Sequence, residues 1–117
     1  MTVKIYHNPR CSKSRETLAL LEQQSILFDV ELYLQQTYSV EELQTLAQKL
    51  GITSVREMMR TKDDLYLQLG LNSQELTEQQ LLIALSQNSA LLERPIVVNG
   101  DKAKIGRPPE SVLTILR

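Results

Sequence analysis

The sequence is poor in the groups from which redox and metal sites are usually built. It has one cysteine and one histidine in 117 residues. A single cysteine excludes an internal disulfide, a Cys-x-x-Cys redox pair and a cysteine-based zinc site, so we expect no metal. If this cysteine takes part in redox chemistry, the second thiol must come from another molecule.

Long apolar runs and an excess of one charge are also missing. No apolar run approaches the roughly 20 residues that span a bilayer, and the N-terminus lacks the hydrophobic segment of a signal peptide. The 13 Lys and Arg nearly balance the 14 Asp and Glu, which argues against nucleic acid or an anionic membrane as a partner. We expect a cytoplasmic monomer with one domain over residues 1–117.

The chemistry of the chain is concentrated in the stretch Tyr6-His7-Asn8-Pro9-Arg10-Cys11-Ser12-Lys13-Ser14-Arg15. Residues 3–6 predict a strand and residues 12–24 a helix, so Cys11 lies where a strand leads into a helix. Backbone N–H groups and the positive end of the helix dipole favour an anion there. The alternative is a small buried thiol. Polar residues flank Cys11 on both sides, which favours a reactive thiolate.

The helix alone is too weak to ionise this thiol at neutral pH. Lowering a cysteine pKa from about 8.5 to about 6.5 requires roughly 2.7 kcal/mol. A helix N-terminus contributes about 0.3–1 kcal/mol to an exposed group. Nearby cations must therefore supply the remainder. The candidates within the stretch are His7, Arg10, Lys13 and Arg15.

Three residues of this stretch, His7, Asn8 and Ser14, are candidates for supporting the cysteine loop. His7 either tunes the thiol and its loop or only hydrogen-bonds the turn. Asn8 and Ser14 are predicted to support the loop by satisfying its open backbone N–H groups. For Ser14 this supporting role is the favoured interpretation.

The remaining pattern predicts a helical block between two mixed segments. Residues 27–34 alternate as a second strand, which completes a parallel βαβ unit. Residues 39–92 predict helices that begin at capping signatures at Ser39, Ser54 and Thr77. A hairpin follows over residues 95–105, with Asn99-Gly100 as a type I′ turn, and then a helix that begins at Pro108-Pro109. The sum is an α/β, thioredoxin-like domain: a mixed four-stranded sheet with a helical insertion at about residues 39–92.

Three arginines stand apart from the helical surface pattern. Arg94 and Arg107 each precede a proline, which holds their backbones in an extended conformation at strand ends. Arg60 lies at the close of the short helix after Ser54. Guanidinium groups suit bidentate recognition of tetrahedral oxyanions. These arginines either gather around Cys11 or are ordinary solvated side chains.

Pro95 begins the third predicted strand. Only about 5–6% of X-Pro bonds in folded proteins are cis. A thioredoxin-like domain often has a cis proline at this position, facing the active-site loop, so we expect a cis bond here.

The motifs 7–15, 93–98 and 106–110 together resemble the glutaredoxin-coupled ArsC arsenate reductases, and most closely their short YfgD-type branch. The likeness extends over essentially the whole chain, including the insertion residues 55–60. It implies that Cys11 is the nucleophile that bonds arsenic. It further implies that Arg60, Arg94 and Arg107 hold the oxyanion and that His7 supports the loop and the thiolate.

The resemblance also implies the partners. Glutathione is expected to act as a co-substrate that attacks the cysteine-bound arsenate, and glutaredoxin to resolve the mixed disulfide and release arsenite. No tightly bound cofactor is expected. A phosphatase-like arsenate reductase needs Cys-x5-Arg, and Thr17 stands where its arginine would be.

Two other functions occur in related domains. One is a Spx-type regulator that binds RNA polymerase. Many of these carry Cys-x-x-Cys, whereas this chain has Ser14 at the second position. The other is a glutathione-dependent thiol transferase, which would need Cys11 but no set of three arginines. Arsenic detoxification through arsenate reduction is therefore the favoured hypothesis.

Overall fold

A computed structural model describes residues 3–116. These residues form two compact units. The first contains residues 3–35 and 94–116 and includes the sheet. The second, residues 36–93, contains most of the helices.

The first unit is built on a mixed four-stranded sheet. Its strands are β1 (Val3–Tyr6), β2 (Phe28–Glu31), β3 (Ile96–Asn99) and β4 (Lys102–Ile105). The spatial order is β2-β1-β3-β4. β1 is parallel to β2, whereas the pairs β1–β3 and β3–β4 are antiparallel. The predicted thioredoxin-like arrangement of a βαβ unit and a ββα unit is thereby confirmed.

Two helices close the core of this unit. Helix α1 spans Ser12–Gln23, and a 3₁₀ helix spans Pro109–Ile115. Their apolar residues pack with those of the central strands, and burial of such side chains contributes about 1.5–3 kcal/mol each. The buried cluster consists of Val3, Ile5, Leu21, Val97, Val112 and Ile115.

Two local predictions in this unit are wrong. The hairpin turn has Gly100 and Asp101 as its two loop residues, and of these only Gly100 has a positive φ, 64°. A single positive φ at the first loop position is typical of type II′ rather than type I′. The second strand ends at Glu31 rather than at residue 34 as predicted. It ends there because Tyr6, the last residue of β1, pairs with Glu31.

The second unit contains the three predicted capped helices. Helix α2 (Val40–Leu50) follows a capping box at Ser39, and helix α4 (Glu78–Gln87) follows one at Thr77. A 3₁₀ helix (Val55–Met58) follows the third. Between them lies the short helix α3 (Asp64–Gln68), and a 3₁₀ turn, Ser89–Leu91, follows α4.

The short helix after Ser54 ends earlier than predicted. Met59 has an extended backbone and forms an isolated antiparallel bridge with Leu92. Arg60 therefore lies in the chain after the helix rather than at its close. Within residues 3–116, no helix has both the length and the apolar character needed to cross a membrane.

The capping box of α2 provides a test of the second unit. Ser39 Oγ accepts the Glu42 N–H at 3.0 Å, so Ser39→Ala should lower the free energy of unfolding by about 1 kcal/mol. Urea denaturation measures this change. Thr37→Ala, which removes an exposed hydroxyl just before the helix, is the control. Equal effects of the two substitutions would contradict the assignment.

Candidate active site

Three strand ends meet at the edge of the sheet where the cysteine loop begins. The register pairs Tyr6 of β1 with Ile96 of β3, and Ile96 with Ile105 of β4. β1 and β4 end at this edge, and β3 begins there. The residues just beyond these ends are therefore neighbours: the loop 7–11, the pair Arg94-Pro95 and the pair Gly106-Arg107.

Hydrogen bonds join the two Arg-Pro segments. The Gly106 N–H donates to the Pro95 carbonyl at 2.9 Å, and Arg107 Nε donates to the Arg94 carbonyl at 2.8 Å. The peptide bond before Pro95 is cis, as expected, and so is the bond before Pro108. The hairpin thus brings Arg94 and Arg107 to one site.

Cys11 lies directly at the N-terminus of α1 and is partly exposed. Burial by itself would raise the pKa of the Cys11 thiol. The opposite effect comes from the backbone N–H of Ser14 and then from the charge of Arg94. The N–H of Lys13 and the charge of Arg107 add to it, so the thiol pKa lies below its ordinary value. Arg107 Nη2 is 3.7 Å from Sγ.

Two cations of the loop, Lys13 and Arg15, contact groups other than the Cys11 sulfur. Lys13 Nζ lies 3.3 Å from Glu16 Oε2. Arg15 Nη1 donates to the Pro9 carbonyl at 2.9 Å. The charges that lower the thiol pKa come instead from the arginines of the Arg-Pro pairs. The side-chain charges of the loop candidates are not among the groups that lower this pKa.

His7 and Ser14 connect the start of the loop to α1. Both are buried, and His7 Nδ1 lies 2.6 Å from Ser14 Oγ. The same hydroxyl accepts the Asn8 N–H at 3.0 Å. Burial, and next the charge of Arg15, lower the pKa of His7, which favours the neutral imidazole. This contact corresponds to the hydrogen-bonding role that was one of our two interpretations of His7.

Asn8 organises the turn that leads to the thiol. Its side-chain Oδ1 accepts the Arg10 N–H, and its carbonyl accepts the Cys11 N–H, both at 3.0 Å. An asparagine that bonds the backbone two residues on forms an Asx turn. The loop that carries Cys11 is therefore held at both of its ends.

A pocket lies beside this loop. It has a volume of about 280 Å³. Its walls come from residues 7–10 and from the segment that follows β2. The lining residues are His7, Asn8, Pro9, Arg10, Leu32, Leu34 and Gln35.

Arg60 belongs to the second unit. Its Nη1 lies 3.1 Å from Asp63 Oδ2, and its backbone N–H donates to the Leu91 carbonyl at 2.8 Å. Its neighbour Arg56 donates to Tyr66 Oη and to the carbonyls of Leu71 and Ser73. Any role of Arg60 toward the oxyanion stays a prediction.

Sequence reasoning missed two residues at this site, Gly106 and Thr17. Thr17 is fully buried in α1 and approaches Gly106. A glycine directly before an Arg-Pro pair was the available signal for the first. Nothing in the pattern of α1 distinguished Thr17 from a solvated threonine.

Comparison with known proteins identifies the family. The ArsC family model matches residues 6–115. The chain belongs to the ArsC family. It is 66% identical to an arsenate reductase of Haemophilus influenzae over 99% of this chain and 100% of that one.

Other members agree with the ArsC assignment. The uncharacterized protein YfgD of Escherichia coli is 53% identical, over 97% of this chain and 96% of that protein. The solved structure of an arsenate reductase from Vibrio cholerae superposes with a TM-score of 0.95 at 54% identity, covering 98% of both chains. The predicted likeness to the YfgD-type branch is consistent with these matches.

The buried histidine predicts a pH dependence of stability. Because the pKa of His7 is lower in the folded state, the unfolded chain binds more protons as the pH falls below about 6.5. Stability should therefore fall on acidification through that range. His7→Gln removes the only histidine and should flatten the fall in urea midpoint between about pH 7.5 and pH 5.5. Equal slopes in the two proteins would contradict this account.

The arginine beside Sγ predicts a change in thiol pKa. Arg107→Ala removes a guanidinium 3.7 Å from the sulfur. The pKa of Cys11 should rise, because one of the charges that stabilise the thiolate is lost while Arg94 and the helix N–H groups remain. The pH dependence of alkylation by iodoacetamide measures it. Arg10→Ala, at an exposed position of the same loop, is the control. Equal pKa values in the two variants would refute the role of Arg107.

Proposed function

We propose that this protein is an arsenate reductase that uses Cys11 as its nucleophile and an external thiol system as its reductant. The observation that carries the proposal is the contact between Cys11 and Arg107 at the start of α1, with Nη2 3.7 Å from Sγ. The relatives from Haemophilus influenzae and Vibrio cholerae, both named arsenate reductases, support the choice of substrate.

Charge explains why a thiolate needs arginine neighbours to meet an oxyanion. Bringing a dianion to about 4 Å from a thiolate costs roughly 4 kcal/mol per charge pair at an effective dielectric constant of about 20, and so about 8 kcal/mol. One guanidinium would not offset this cost. Arg94 and Arg107 both act on the Cys11 sulfur, and their planar groups suit two-point recognition of a tetrahedral oxyanion.

The first step is displacement at arsenic. The Cys11 thiolate forms a bond to arsenic, and one arsenate oxygen takes up two protons and leaves as water. The lowered thiol pKa increases the fraction of Cys11 that is present as the attacking thiolate. Arg94 and Arg107 stabilise the negative charge on the remaining oxygens.

The reduction itself requires a second thiol. Arsenic(V) gains two electrons when it becomes arsenic(III), and two thiol sulfurs supply them by joining in a disulfide. The chain contains one cysteine, so Cys11 provides at most one of these sulfurs. We assign the other to glutathione, which attacks the arsenic adduct. As its sulfur joins that of Cys11, the bond from Cys11 to arsenic breaks, the electron pair of that bond stays on arsenic, and arsenite leaves. The mixed disulfide is then reduced by glutaredoxin, which returns the Cys11 thiol.

The other predicted residues take supporting roles in this scheme. His7, Asn8 and Ser14 hold the cysteine loop through the contacts described above. Pro95 accepts a backbone hydrogen bond from Gly106 and so aligns the two Arg-Pro pairs. Participation of Arg60 rests on family resemblance alone. The cytoplasmic location follows from the choice of glutathione and glutaredoxin.

Reconstitution tests the proposal and its alternatives. Purified protein should form arsenite from arsenate only when glutathione and glutaredoxin are both present. Arsenite formation without glutathione would overturn the reductant assignment. A protein that reduces a glutathionylated peptide but no arsenate would instead be a thiol transferase. Stable binding to RNA polymerase without either activity would identify a regulator.

The assignment of Cys11 as nucleophile predicts that activity is lost completely when its thiol is removed. Cys11→Ser should abolish arsenite formation, because an alcohol near neutral pH offers no comparable anion. The circular dichroism spectrum should stay unchanged, since Cys11 is partly exposed and lies outside the core cluster. Substantial turnover by this variant would end the assignment.

Replacing Arg94 or Arg107 should slow the reaction without abolishing it. Arg94→Ala and Arg107→Ala should each lower kcat/KM for arsenate by roughly tenfold to a hundredfold, the loss typical of charge-assisted contacts. Lysine at either position should restore only part of the activity, because the bidentate fork is lost. Arg10→Ala is the matched control. Full turnover by both alanine variants would show that the arginines do not hold the substrate.

A further inference from the structure

Gly106 occupies a position where a side chain has no room. A Cβ at this residue would lie 2.6 Å from Thr17 Oγ1 and 2.8 Å from Pro95 Cγ. Real Cβ atoms essentially never approach neighbours this closely. Thr17 and Pro95 are both buried. Gly106 is not among the glycines with a positive φ, so it is needed for space rather than for backbone conformation.

Thr17 connects this contact to the start of α1. Its Oγ1 donates to the Lys13 carbonyl at 2.8 Å, one helical turn earlier. The Lys13 N–H is among the groups that lower the Cys11 pKa. The Thr17 side chain therefore lies between the helix end that faces the thiol and the end of β4.

The other side of the contact leads to Arg107. The Gly106 N–H donates to the Pro95 carbonyl, and the next residue places Nε 2.8 Å from the Arg94 carbonyl. With Nε anchored there, Arg107 Nη2 lies 3.7 Å from Cys11 Sγ. We therefore expect a movement of Gly106 to change the distance between this guanidinium and the sulfur.

We propose that Gly106 is a positioning residue of the candidate site. Its missing side chain lets the end of β4 lie against Thr17 and Pro95, and this close approach places the Arg107 guanidinium beside the Cys11 thiolate. The inference rests on the proposed function only in taking the thiolate as the reacting group. Its test needs neither arsenate nor a reductant.

The test is the thiol pKa of Gly106→Ala. The added methyl group cannot fit at 2.6 Å from Thr17 Oγ1, so one of the groups in contact must shift. Because Thr17 and Pro95 are both buried, we expect the end of β4 to move outward. We expect the Cys11 pKa to rise and iodoacetamide alkylation at neutral pH to slow by roughly threefold to tenfold, since one pKa unit is a factor of ten in thiolate. The ultraviolet absorbance of the thiolate gives an independent titration.

Two comparisons separate positioning from general destabilisation. Gly51→Ala, at a helix end with φ 69° and nothing within 4 Å, should lower the thermal midpoint but leave the thiol pKa unchanged. Thr17→Ala removes the nearer of the two obstructing groups. The pKa rise caused by Gly106→Ala should therefore be smaller when Thr17 is already alanine.

The outcomes decide the proposal in each case. A wild-type thiol pKa in folded Gly106→Ala would overturn it, as would equal pKa rises in Gly106→Ala and Gly51→Ala. If Gly106→Ala does not fold, the double variant is compared with Thr17→Ala. The Pro95 contact at 2.8 Å remains there, so an identical pKa in the two would overturn the proposal. A shifted thiol pKa in Gly106→Ala, together with no arsenate turnover by the wild-type protein, would leave Gly106 as a positioning residue. It would reject only the proposed reductase function.

Discussion

The candidate site depends on stabilising one negative charge on Cys11. Burial opposes that charge. Backbone N–H groups at the start of α1 and two guanidinium groups stabilise it and outweigh the effect of burial. A helix N-terminus alone is worth about 0.3–1 kcal/mol to an exposed group. The arginines are therefore necessary partners of the helix. They also provide the charge that an incoming oxyanion would require.

Sheet topology explains how these groups come together. The cysteine loop follows β1, Arg94 precedes β3 and Arg107 follows β4. The antiparallel register of β1, β3 and β4 brings these three ends to one edge. The buried cluster beneath them, made by Ile5, Val97 and their neighbours, holds the strands in register. The fold thus brings together residues that lie far apart in the chain.

Much of the fold could be predicted from local signals. Capping residues such as Ser39 and Thr77 satisfy N–H groups within their own turn, so their effect is visible in sequence. Predictions that depended on a distant partner were weaker. The second strand ends at Glu31 because β1 ends at Tyr6, and the alternation of residues 27–34 carries no information about that.

The candidate site was predicted in part for the same reason. The position of Cys11 before a helix could be inferred locally. The source of its stabilising charge could not, since Lys13 contacts Glu16 and Arg15 contacts Pro9 instead. Spacing before proline made Arg94 and Arg107 candidates, but only strand pairing brings them to the sulfur. The space requirement at Gly106 is likewise tertiary.

The most direct measurement is a titration of the Cys11 thiol in the wild-type protein, followed by thiolate absorbance with Cys11→Ser as the blank. The account predicts a midpoint below the ordinary value of a cysteine thiol. It also predicts that added salt raises this midpoint, because the arginine charges are partly screened. A midpoint at or above the ordinary value, insensitive to salt, would contradict it.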